Sequence, residues 1–239
     1  MWRRITPPLR LVVLLAALLG PASARAADDA PYAGPEKVSQ GLDSSQSDRM
    51  AAVLAGQYFH ARLWYYGWSA FYGTVITAET VINATSTGGA RLAAQVNIAT
   101  SWVGLFQTLV LPPPVAFGWQ AVEAMPDSNP EQRAAKSAAV RALFQLEAKN
   151  EVFYHSAFNH IVGLAVNAGV CAFMFWGQHQ GTRALINLVG GSLVWEANIY
   201  TYPNASMRAA HDEGLAALQL RVVPLAFVDG GGAAVVGHF

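Results

Sequence analysis

Four apolar stretches, each interrupted by isolated Asn, Glu or His, constrain this chain more than any other feature; they cover about residues 65–84, 92–111, 153–176 and 184–202. A bilayer core takes about 20 apolar residues as a helix. Repeated stretches of that length predict an all-α membrane protein with four transmembrane helices. Turn chemistry divides them into pairs: Thr85-Ser86-Thr87-Gly88-Gly89 lies between the first two and Gln178-His179-Gln180-Gly181 between the last two. Two antiparallel helix hairpins follow. Small residues such as Gly163, Ala165, Ala168, Gly190 and Gly191 would let helices approach closely where lipid supplies no hydrophobic drive.

The segments around these stretches differ in kind. Arg3, Arg4 and Arg10 precede an apolar run at residues 11–19, and Ala24-Arg25-Ala26 supplies small residues for cleavage, so residues 1–26 read as a secretory signal peptide. Residues 27–47 hold too few large apolar side chains to order themselves and read as a linker. The helical membrane domain then covers residues 48–214. Within it, Pro112-Pro113-Pro114 ends the second stretch, and Ser128 or Asn129 caps an amphipathic helix whose first turn holds Pro130 and Glu131. Val140, Leu143, Phe144 and Val152 give that helix an apolar side, and Arg133, Lys136, Arg141, Glu147, Lys149 and Glu151 occupy much of the rest. Residues 215–239 read as a C-terminal β-hairpin turning at Gly230-Gly231-Gly232 and ending on Phe239.

Composition narrows the function classes. Only 13% of residues are charged, about half the share of an ordinary soluble domain, while 53% are hydrophobic. Net charge is zero and no dense basic cluster exists, so nucleic acid is not an expected partner. The single cysteine, Cys171, excludes an internal disulfide. An export signal followed by apolar helices points to the inner membrane of a bacterial-type envelope, with the lipid bilayer, a membrane-protein partner or a second copy of the chain as expected contacts. The charges complicate this placement. Four spans after a cleaved signal would put Arg133, Lys136, Arg141 and Lys149 outside, against the usual bias, and the terminal Phe239 strand leaves the outer membrane as an alternative.

Glu79, Glu151, His155 and Glu196 are the ionisable residues within or beside the apolar stretches that could carry chemistry. Glu147, Glu151, His155 and Asn159 recur at intervals of four and predict one polar stripe on a single helix. Glu151 and His155 could then ligate a metal with Glu79 and Glu196 from other helices, yet neither His-Glu-x-x-His nor a Glu-x-x-His repeat is present. The cofactor stays unknown: His155 or His160 could ligate a haem, but no Cys-x-x-Cys-His haem attachment occurs. The aromatic cluster from Trp64 to Tyr72, with His60 and Arg62 beside it, suits a membrane interface. The pattern therefore predicts a structural or accessory envelope component without catalytic activity. A small transporter or channel subunit, or a metalloenzyme using Glu151 and His155, is the alternative.

Overall fold

The computed structural model describes residues 44–212, together with the backbone alone of residues 219–227 and 230–238. Helix α1 spans Ser44–Thr85, and its 42 residues make it about 63 Å long at 1.5 Å per residue. No proline interrupts it, so the amphipathic start and the first apolar stretch become one helix beginning at Ser44. It turns at Gly88, whose φ of 58° favours glycine, into α2, Gly88–Val110. Pro114 then opens the short helix α3, Pro114–Glu123, at a position where a missing amide hydrogen costs nothing. Helix α4 covers Pro130–Tyr154, capped by the Asn129 side chain accepting from the Gln132 amide at 2.8 Å.

Ser156 caps the next helix, α5, Ala157–Ala172, and a π-helical turn at Phe173–Gly177 extends it. Helices α6, Gly181–Tyr200, and α7, Ala205–Asp212, complete the bundle. The two predicted hairpins are therefore present as α1–α2 and α5–α6, each packed closely along its length.

These elements overturn the expectation of four transmembrane helices. Among the described helices only Ala157–Gly177 is long and apolar enough to cross a membrane, with mean hydropathy 1.6. Polar residues dilute the others, including Glu79 and Asn83 in α1, Arg91, Gln95 and Asn97 in α2, and Arg183 and Asn187 in α6. The third predicted stretch is also broken, because Phe153 and Tyr154 close α4 and the Ser156 cap starts a new helix. In the tail, the backbones of Gln219–Phe227 and Gly230–His238 pair antiparallel. Residues 44–212 contain no strand, and their fold is an all-α helical bundle. The expected signal peptide at 1–26 lies outside the described residues, as does the expected linker at 27–47 except for residues 44–47, which are helical.

Two halves meet along α1. Its N-terminal part packs with α3, α4 and α7 around Leu54, Ala61, Val115, Trp119, Val140 and Phe144. Its C-terminal part packs along α2, and α2 in turn meets α5 and α6, where Val103 clusters with Trp195 and Ile199, and Val96 with Val170 and Met174. Close approach in this half depends on several glycines, Gly163 and Gly104 among them. A Cβ on Gly163 would lie 2.2 Å from the Trp195 ring, and one on Gly104 would lie 2.4 Å from the Tyr72 ring. Between the halves sits an aromatic junction of Trp64, Tyr154 and Tyr202. The Tyr154 and Tyr202 rings stack at 3.8 Å, and Trp64 presents an edge contact to each at 5.4 and 4.8 Å.

Candidate functional site

Two carboxylates on α4, one turn apart, are both fully buried: Glu147 and Glu151 each have 0% exposure. A helix begins with amide groups that have no partner inside the helix and a partial positive charge, so a carboxylate there is stabilising. Glu147 meets the start of α3, where its Oε2 accepts from the Val115 amide at 2.7 Å. Glu151 meets the start of α7, accepting from the amides of Ser206 and Met207. Gln57 from α1 donates to the Ser206 hydroxyl at 2.6 Å and ties the third helix in.

Burial competes with these bonds. It pushes Glu147 up to about 8, opposed by the Val115 amide and reinforced by the nearby charge of Glu151. It pushes Glu151 up to about 7, opposed by the Met207 and Ser206 amides. The second Glu147 oxygen, Oε1, has no hydrogen-bond partner. Burial therefore favours the protonated form of both carboxyls, more strongly at Glu147. This geometry supports helix anchoring and proton uptake.

The predicted site residues do not converge. Glu79 accepts from the Asn97 side chain at 2.8 Å, and Asn97 in turn accepts from Asn187 at 2.6 Å, which links α1, α2 and α6. Glu196 pairs with His160 at 2.7 Å across α5 and α6. His155 ends α4, donates to the Pro203 carbonyl at 3.4 Å, and is held below its ordinary imidazole range by partial burial. The stripe expected from Glu147 to Asn159 breaks there, because Asn159 belongs to α5 and donates instead to the Tyr154 carbonyl at 2.9 Å. Among the described residues no group of three or more His, Cys, Asp or Glu side chains could hold a metal ion.

The aromatic belt also divides. Trp64 turns inward and donates to the Asn198 carbonyl at 3.0 Å, whereas Arg62 lies 5.6 Å from the ring centres of Tyr58 and Tyr66 on the helix surface. Sequence reasoning missed the burial of Glu147 and the roles of Gln57, Tyr154 and Tyr202. The spacing of Glu147 and Glu151 offered one signal, since residues four apart share a helix face, but nothing local marked that face as inward. The chain matches no protein-family model, no curated protein and no solved structure.

Proposed function

We propose that this chain is an accessory component of a cell envelope, seated in a membrane through one half of its bundle and acting without a catalytic centre. The observation that carries the reading is the division of charge. Across the C-terminal part of α1 with α2, α5 and α6, residues 65–111 and 157–202 contain only Glu79, Arg91, Arg183 and Glu196 among Asp, Glu, Lys and Arg. That half exposes Trp102 at 54%, Ile161 at 65%, Trp176 at 73% and Leu193 at 65%, large apolar side chains of the kind that gather at a membrane or protein contact.

Two further features support the same seat. Thr77, Thr80, Thr85, Thr100 and Thr108 each donate to a carbonyl four residues back, which satisfies the hydroxyl without water. Glu79 and Glu196 are each bonded to a neighbouring side chain, as ionisable groups in an apolar phase require. In this reading Ala157–Gly177 is the helix inside the bilayer and the other helices of its half pack around it. The charged half, with α3, α4 and α7, stands in water. Partners are lipid and either a second membrane protein or another copy of the chain, and the inner membrane is the favoured location.

Fractionation of the expressed protein followed by alkaline carbonate washing tests this directly. Retention in inner-membrane pellets after the wash is the expected result. Recovery in the wash supernatant would remove the membrane seat, and recovery in outer-membrane fractions would move the location.

A further inference from the structure

The two hairpins pack tightly within themselves but leave a cleft between them of about 420 Å³, a size typical of small-molecule sites. Its walls are mainly apolar, with Val75 from α1, Val103 from α2, and Ile186 and Val194 from α6. Arg183 lines the same cleft, and no Asp or Glu does. The Arg183 guanidinium bonds to the neutral Gln180 side chain at 2.7 Å, which leaves its charge uncompensated by any carboxylate in the cleft wall. From Arg183 to Val194 the cleft follows α6 for about 16 Å at 1.5 Å per residue. A positive charge at one end of a narrow apolar trough suits one ligand shape: an alkyl chain with an anionic head.

Gly190 supports this assignment. A Cβ there would meet nothing within 4 Å, and Gly190 lines the cleft between Ile186 and Val194. The glycine keeps the trough open where any larger side chain would narrow it. Of the polar residues that also face the cleft, Asn187 donates to Asn97, Thr100 to the Val96 carbonyl and Asn167 to the Gly163 carbonyl, so these donors are already engaged beside the alkyl chain.

We infer that this cleft binds a long-chain carboxylate, with the alkyl chain along α6 and the carboxylate on Arg183. An arginine fork pairs with a carboxylate through two parallel bonds, which a neutral alcohol cannot reproduce. The inference does not depend on the membrane seat, because binding is measured on the isolated chain.

The test is calorimetric titration of the purified full chain, held in an amphipathic polymer, with dodecanoate and with dodecanol; polymer without protein gives the background. Dodecanoate is expected to bind at least about tenfold more tightly than dodecanol, a difference of about 1.4 kcal/mol. Arg183→Gln should bring dodecanoate down to the alcohol's affinity and leave the alcohol unchanged. Gly190→Leu should weaken both ligands about tenfold, with an unaltered thermal unfolding midpoint showing that the fold is intact. Absence of dodecanoate binding, equal affinity for the two ligands in the unmodified chain, or unchanged binding in both variants would overturn the assignment. Arg183 lies at an exposed helix start, so its variant tests the head contact even if Gly190→Leu fails to fold.

Discussion

The two halves of the bundle solve the same problem, the burial of polar groups, in opposite ways. In the charged half the interior carboxylates Glu147 and Glu151 meet backbone amides at the starts of α3 and α7, while Lys136 and Asp127 pair on the surface at 3.1 Å. In the apolar half the buried amides Asn159 and Asn167 donate to the Tyr154 and Gly163 carbonyls, the half-buried Asn187, Asn97 and Glu79 form a side-chain chain, and the surface is aromatic and aliphatic. Helix-start amides are available inside the charged half because two short helices, α3 and α7, begin there. The apolar half is built from long helices whose ends lie at its edge, so its polar groups must find partners along helix sides. The contrast teaches that element length decides which hydrogen-bonding groups a core can offer.

Removing the shared junction should break this arrangement most severely. Trp64 is 3% exposed and touches Tyr154, Tyr202 and the Asn198 carbonyl. Trp64→Ala should therefore cost about 3–5 kcal/mol, and chemical denaturation should show two separated transitions in place of one. A single transition with an unchanged midpoint would mean that the halves are coupled elsewhere.

Glu151→Ala strips partners from the Ser206 and Met207 amides. Each unsatisfied buried amide costs about 1–3 kcal/mol, so a loss of about 3 kcal/mol is expected, and Glu151→Gln should recover part of it by keeping an acceptor oxygen. Equal losses in the two variants would assign the effect to packing instead of amide capture.

The pH dependence sharpens the same point. Glu147 and Glu151 are both raised above the ordinary carboxylate range, to about 8 and about 7. The native state therefore binds protons that the unfolded chain has already released. Their stabilising contribution is complete below the ordinary carboxylate range and declines as pH rises through about 7 and then about 8. A fall of about 2–3 kcal/mol across that window is expected from the linkage relation. Urea midpoints at a series of pH values measure it, and Glu147→Gln should flatten the upper part of the profile. Stability that rises with pH over this range would contradict the assignment.

Smaller effects separate the two interiors from the two surfaces. Gly104→Ala places a Cβ against the Tyr72 ring and should cost about 1–3 kcal/mol by overpacking; a neutral result would show that Tyr72 can move aside. Lys136→Ala removes a partly exposed ion pair and should change stability by less than about 1 kcal/mol. A larger loss would show that the charged surface contributes more than its exposure implies.

Much of the helical layout was legible locally. Pro112 to Pro114 forced a break, Asn129 with Pro130 marked a helix start, and the two glycine-containing turns defined the hairpins, because each acts on its own backbone within a few residues. The His155–Ser156 break was harder to see. It joins a helix end to a serine cap inside an otherwise apolar run, and periodicity alone carries the polar stripe straight through it. The number of spans failed for a related reason: apolar stretches look alike in sequence, while hydropathy over a full spanning length distinguishes Ala157–Gly177 from the rest.

The sequence by itself determined that this chain is helix-rich, that it breaks at its prolines and glycine-containing turns, and that its charges are segregated between segments, since composition, proline and capping chemistry act over short distances. Only the tertiary structure decided that Glu147 and Glu151 are buried on helix starts, that Glu79, Glu151, His155 and Glu196 take separate partners instead of gathering as a metal site, and that the hairpins enclose a cleft ending at Arg183. Those outcomes depend on which faces of distant helices meet. The Gln57–Ser206 bond and the Trp64–Tyr202 contact join positions far apart along the chain, and no local pattern encodes such a meeting.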